Sequence, residues 1–197
     1  MWRGCLTALV TPFRNGAVDY PALEKLVEGQ IAGGVQGLVP CGSTGESATL
    51  THDEHIQVVQ AVIRFARGRA PVVAGTGSNS TAEAVRLTRA AEEAGAAGAL
   101  LLSPYYNKPT QDGIYRHYKT IASSVDLPLF LYNIPGRTAS NIAPETVARL
   151  AEIKNVSGIK EASGSMDQSS DIFKMCAGSV ERSVSRGTLN CIRAASS

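Results

Sequence analysis

The chain has 197 residues, 44% hydrophobic and 18% charged, which is enough for one domain with a large core, too short for two of ordinary size, and too apolar for a disordered segment. Lysine and arginine number 19 against 17 acids, and three of those arginines (Arg182, Arg186, Arg193) lie in residues 178–197 with a single acid, Glu181. The remainder is charge-balanced, which argues against a nucleic-acid binder or a protein held on an acidic membrane surface. Cys5, Cys41, Cys176 and Cys191 are too scattered for a zinc site, no run reaches membrane-spanning length, and the N-terminal apolar run is too short for a signal sequence. The expectation is reduced thiols, no metal, no membrane and a cytoplasmic location.

Cys5 to Thr11 reads as a first strand, stopped by Pro12 and followed by the turn pair Asn15-Gly16. Asp19 can cap the next segment, with Pro21 just inside it; Leu23, Leu26, Val27 and Ile31 then recur at helical spacing until Gly33-Gly34. Gly37 to Cys41 is a second strand, and Thr51 with Glu54 forms a capping box opening a helix through Ile56, Val59, Val62 and Ile63. Pro71 to Gly75 is a third strand, with a second box, Ser80 and Glu83, before a helix closed at Gly95. A fourth strand, Ala99 to Leu102, precedes a helix from about Gln111 to Ser124 with Ile114, Tyr118, Ile121 and Val125 on one face. Leu127 to Ile134 is a fifth strand and Pro144 to Glu152 a fifth helix; Val156 to Lys160 is a sixth strand, with Asp167 capping a helix that ends near Cys176.

Strands alternating strictly with amphipathic helices predict an α/β fold of parallel strands joined by right-handed crossovers. The polar residues that look chemical follow several consecutive strands, as at the C-terminal rim of a (β/α)8 TIM barrel, and not at one switch point of an open sheet. A complete barrel takes eight units and about 250 residues, and six are found. The expected division is a partial, catalytic TIM barrel over 1–177 and an atypical tail over 178–197.

In the sixth strand Val156, Gly158 and Lys160 share one face by alternation. A lysine there, with a glycine making room beside it, sits where desolvation lowers its pKa and frees the amine to attack a carbonyl; the alternative is a strand-end lysine reaching solvent. Gly42-Ser43-Thr44-Gly45-Glu46 can turn backbone N–H groups toward a carboxylate or phosphate, or be an ordinary connection. It is not a P-loop, and Gly75-Thr76-Gly77 lacks the third glycine of a dinucleotide fingerprint, so no nucleotide cofactor is implied. Tyr105, Tyr106 and Tyr132 put phenols at two strand ends, able to pass protons through Ser43 or Thr44, or to serve as core lids. Arg137 can hold a substrate carboxylate from its Pro135-Gly136 turn, or be a solvated loop arginine. Together these are the parts an imine-forming enzyme needs for an oxo-acid.

From Gly4 to about Cys176 the sequence resembles the dihydrodipicolinate synthases, pyruvate-dependent lyases of the class I aldolase type in bacterial lysine (diaminopimelate) biosynthesis. The motifs are Gly42-Ser-Thr-Gly-Glu-Ser-Ala-Thr-Leu, Gly75-Thr-Gly, Ser103-Pro-Tyr-Tyr-Asn-Lys-Pro, Leu131-Tyr-Asn-Ile-Pro-Gly-Arg-Thr and Gly158-Ile-Lys-Glu-Ala-Ser-Gly. The resemblance implies that Lys160 forms a Schiff base with pyruvate, that Tyr132 donates and accepts protons, and that Ser43 and Tyr106 complete the relay. It further implies that Thr44 binds the pyruvate carboxylate and Arg137 that of L-aspartate-4-semialdehyde, with 4-hydroxy-tetrahydrodipicolinate as product. No cofactor is implied beyond the covalent imine, and Tyr106 would reach into a partner's site in a homodimer or homotetramer. Ser47, Ala48, His52, His55, Asn79, Glu83 and Tyr105 match positions that bind lysine as an inhibitor in similar enzymes, although His52, His55 and His117 each read by default as surface helix residues.

Ser43 stands where threonine is usual in the family and is shared with sialic-acid lyases, whereas Arg137 argues against those lyases. Residues 178–197 follow neither the helix nor the strand period, which reads as a truncated or frameshifted product. That reading expects exposed edges on strands one and six and poor activity of the isolated chain. The alternatives are another pyruvate aldolase of the superfamily, such as a sialic-acid lyase or a sugar-acid aldolase, and a non-catalytic remnant binding a full-length relative.

Overall fold

Most helix starts among the described residues are set by side-chain caps and the others by a proline in the first turn, and strand positions by short apolar runs. The computed structural model describes residues 3–176, 181–185 and 188–192, the last two stretches by backbone alone. They gather into two compact units, one of residues 3–76 and 87–100, the other of 77–86 and the described chain from Leu101 onward. Among the described residues no helix is long and apolar enough to cross a membrane.

In the first unit β1 (Leu6–Ala8) pairs in parallel with β4 (Gly37–Val39), Thr7 opposite Leu38. Between them β2 (Phe13–Arg14) and β3 (Ala17–Val18) form a hairpin whose two-residue turn, Asn15 and Gly16, has φ of 52° and 80°, the left-handed pair that such a turn requires. Asp19 caps α1 (Tyr20–Ala32) by accepting the Ala22 N–H, and Gly33-Gly34 ends it, as expected. The capping box of α2 (His52–Ala66) is complete: the Glu54 N–H donates to Thr51 Oγ1, and the Thr51 N–H donates to the Glu54 carboxylate. Leu38 bridges to Val72, and β5 (Val73–Gly75) runs parallel to the first residues of β6 (Gly98–Leu102). Gly75 is fixed by space, since a Cβ there would meet the Cys41 carbonyl.

α3 (Thr81–Glu93) takes half of its expected box: the Glu83 N–H donates to Ser80 Oγ, while the Glu83 carboxylate accepts from Ser78 Oγ. His55 and His117 overturn the surface expectation, each being 5% exposed. His55 lies 2.7 Å from the Gly75 carbonyl through Nε2, and His117 pairs through Nδ1 with Thr81 Oγ1; an internal partner lets an imidazole turn inward where periodicity alone suggests solvent.

In the second unit α4 (Gln111–Ala122) is capped by Thr110 and buries Ile114, Tyr118 and Ile121 as predicted; Val125 is buried too, but beyond the helix end and not on its face. β7 (Leu129–Asn133) leads through a short helix that the sequence did not announce, α5 (Pro135–Thr138), to α6 (Pro144–Ala151). β8 (Val156–Glu161) pairs in parallel with β7, and α7 (Met166–Met175) follows. Its cap is Ser165, whose side chain accepts the Gln168 N–H; Asp167 lies in the first turn instead.

The β7–β8 register corrects the shared-face reading. Leu129 lies opposite Val156 but Phe130 opposite Gly158, so Ser157 is an extra, bulged residue. Paired residues of parallel strands point the same way and neighbours point oppositely, which separates Val156 from Gly158; Gly158 and Lys160 still share a face. The tail also differs from expectation. β9 (Glu181–Ser185) and β10 (Thr188–Ile192) form an antiparallel hairpin, and β10 pairs antiparallel with β8, Asn190 opposite Lys160. The edge of β8 expected to be free is therefore hydrogen-bonded. Residues 178–180, 186–187 and 193–197 of the expected tail lie outside the described residues.

Candidate active site

Tyr132 and Lys160 are directly paired in the β7–β8 register, so their side chains leave the sheet together. Lys160 Nζ lies 4.3 Å from the centroid of the Tyr132 ring. Tyr132 is buried and Lys160 half-buried. Burial lowers the Lys160 pKa, and the positive charge of Arg137 lowers it further, because both penalise a second cation in a poorly solvated place. No carboxylate of the described residues forms an ion pair with it. Arg137 is exposed on α5, with its N–H donating to the Ile134 carbonyl. The structure thus brings Lys160, Tyr132 and Arg137 together: an amine biased toward its neutral, nucleophilic form, a phenol beside it and a cation nearby.

The opposite face of the same strand ends carries a group that sequence reasoning missed. Glu161, 3% exposed, accepts the Asn133 side-chain amide at 2.9 Å, the Gln168 amide at 3.0 Å and the Ser163 backbone N–H at 2.6 Å. Asn133, fully buried, also donates to Asn141 Oδ1 and accepts the Ile142 N–H. Asn141 and Gln168 exchange two further hydrogen bonds. A carboxylate taken into an apolar face costs several kcal/mol unless its oxygens are met, and here they are met by three donors. An acid immediately after Lys160 must alternate to the opposite face of the strand, and that was the available signal.

Tyr106 is 88% exposed, with φ of 72° and its N–H donating to the Thr138 carbonyl. Ser43 and Thr44 belong to the first unit, where they open a 3-10 turn (Ser43–Gly45) after Cys41 at φ 54°. The N–H groups of Gly45, Glu46 and Ser47 bond within that loop, and those of Ser43 and Thr44 stand at the head of the turn, where a helical turn supplies no acceptor. Both side chains are exposed. Burial pushes the neighbouring Cys41 thiol up to about 12, which makes it inert as a nucleophile.

Of the residues matched to lysine binding, Asn79, Glu83 and Tyr105 lie in the second unit, where the Asn79 amide donates to the Tyr105 carbonyl. Ser47, Ala48, His52 and His55 lie in the first unit; His52 and Ala48 are exposed, and the His55 ring is buried against Gly75.

Residues 1–181 match the dihydrodipicolinate synthetase family model. The 4-hydroxy-tetrahydrodipicolinate synthase of Syntrophus aciditrophicus is 59% identical over 176 residues, covering 89% of this chain and 60% of the relative. That of Geobacter sulfurreducens is 58% identical over 181 residues, covering 92% and 62%. The crystal structure of dihydrodipicolinate synthase from Aquifex aeolicus aligns with a TM-score of 0.87 at 48% identity, over 88% of this chain and 60% of that one. The chloride-inhibited dihydrodipicolinate synthase from Acinetobacter baumannii complexed with pyruvate aligns with a TM-score of 0.86 at 50% identity, over 89% and 60%. The chain spans about three fifths of the length of the curated relatives it matches. Its fold class is the (β/α)8 barrel type with about six βα units present, and it belongs to the dihydrodipicolinate synthetase family.

Proposed function

We propose that the chain carries the imine-forming centre of a pyruvate-dependent lyase that condenses pyruvate with L-aspartate-4-semialdehyde to 4-hydroxy-tetrahydrodipicolinate. The observation that supports it most is the Lys160 amine, half-buried, its pKa lowered, and held over the Tyr132 ring. The neutral amine adds to the keto carbon of pyruvate, and loss of water gives the imine. The imine accepts the electron pair released when the methyl group loses a proton, forming an enamine. The enamine carbon attacks the aldehyde; the amine of the second substrate then displaces Lys160 as the ring closes. Tyr132 is the proton donor and acceptor in this scheme.

The roles of Ser43 and Tyr106 as relay, of Thr44 on the pyruvate carboxylate and of Arg137 on the second substrate's carboxylate rest on the motif match; the placement of Arg137 near Lys160 also supports the last of them. Every step is served by the lysine, without a metal or a separate cofactor. The same reading makes the protein a cytoplasmic homo-oligomer, a dimer or tetramer, with the exposed Tyr106 at the subunit contact, and assigns catalysis to residues 1–177. Borohydride reduction with pyruvate, followed by intact mass and peptide mapping, tests it. An adduct on Lys160 is the expected result, and a folded sample without one refutes the reading.

A further inference from the structure

Building on the imine chemistry proposed for Lys160, we propose that Glu161, Asn133, Asn141 and Gln168 form a clamp on the far face of β7 and β8, which selects the strand register that sets the Lys160 amine against Tyr132. Glu161 and Asn133 are positioning residues. They are the register pair immediately after Tyr132 and Lys160, so the hydrogen bond between their side chains fixes the pair before it.

Such fixing is needed because of the bulge. With Ser157 extra, β8 has a competing register in which Phe130 faces Ser157, and a one-residue slip exchanges the faces of the strand. In that arrangement Lys160 would point where Glu161 now points. The Glu161 carboxylate is met by three donors only in the observed register, two of them from Asn133 on β7 and Gln168 on α7. The Ala162 N–H bond to the Asn133 carbonyl closes the ladder at the same point. A leucine at position 161 would bury as well as a glutamate, but it would hold no register, because apolar contact lacks direction.

The test uses the full chain with E161Q, Q168A and the exchange E161Q/Q168E. E161Q keeps shape but replaces one of the two accepting oxygens with an amide donor, which must face either the Ser163 N–H or the side-chain amides of Asn133 and Gln168; the exchange offers that new donor an acceptor at position 168. Borohydride trapping is followed against pyruvate concentration, and acetylation of Lys160 is measured relative to the exposed Lys119 by peptide mass. E161Q is expected to lower the saturating trapping rate about 10- to 100-fold with half-saturation changed less than about threefold, Q168A to lower it about threefold or more, and the exchange to recover part of the loss. A wild-type rate in folded E161Q, or a loss equal to the unfolded fraction seen by circular dichroism, overturns the clamp. If E161Q does not fold, Q168A decides: a wild-type trapping rate overturns it. If the wild-type chain itself forms no adduct, the imine reading fails separately, and the acetylation ratio decides: a change of about fivefold or more supports the clamp and an unchanged ratio refutes it.

Discussion

The two faces of the β7–β8 ribbon treat adjacent residues in opposite ways. On one face Glu161 is buried with each side-chain oxygen accepting hydrogen bonds; on the other Lys160 is half-buried, without an ion pair among the described residues, and lies beside an aromatic ring and within reach of a second cation. Satisfied polarity gives position, and withheld satisfaction gives reactivity. A lysine ion-paired with a buried acid would be held protonated and so be a poor nucleophile, and one placed by packing alone would be poorly aimed. Separating the two demands across one strand meets both.

The largest test of that contrast removes the unsatisfied group. K160A is expected to abolish pyruvate trapping, a loss of at least about a thousandfold, with no loss of stability, because the amine contributes no ion pair among the described residues; a strongly destabilised K160A would show that it does. The complementary change is N133A, which strips an acceptor from the Ile142 N–H and donors from Asn141 and Glu161 in a fully buried place. It is expected to cost about 2–3 kcal/mol in urea unfolding. A near-neutral N133A would mean that water replaces those bonds, and that this face is less closed than the structure shows.

The alternation of strands and helices was legible because it is written in local periods. Thr51 with Glu54, Asp19 ahead of Pro21, and the Ile114, Tyr118 and Ile121 stripe each specify their element within a few residues, and each is found as read. Lys160, Tyr132 and Arg137 were legible as types at strand ends. The clamp was not, because its members come from β7, β8, the segment before α6 and α7, and only the tertiary fold makes Asn133 and Glu161 neighbours. The bulge at Ser157 was hidden for the same reason, since a register exists only between two strands. His55 and His117 were misread because helical spacing cannot anticipate a partner, the Gly75 carbonyl or the Thr81 hydroxyl, on another element.

The misplaced cap of α7 provides a smaller test. Ser165 and not Asp167 accepts the Gln168 N–H, and Gln168 is the residue through which α7 enters the clamp. S165A should therefore cost about 1 kcal/mol, whereas D167A, an exposed acid in a first turn, should cost about 0.3 kcal/mol through the helix dipole alone. Both are read from denaturant midpoints. S165A should also slow trapping slightly while D167A leaves it unchanged; the reverse order would restore Asp167 as the cap.

The smallest expected effect is that of Arg137 on the Lys160 amine. Burial is the larger cause of the lowered pKa and the Arg137 charge the lesser, so R137A should move the pH profile of trapping to higher pH without returning the amine to the ordinary lysine value. Because Arg137 is exposed, salt screens it, and the wild-type profile in high salt should approach that of the variant. The lowered pKa also carries a sign for stability. Between the folded and the unfolded pKa the unfolded chain binds the proton and the folded chain does not, so stability rises with pH across that window, and the cost of holding Lys160 in place is present below it. K160M should remove that rise and gain most below that window. A profile for R137A that coincides with wild type at low salt would leave burial as the sole cause, and would confine Arg137 to the substrate carboxylate.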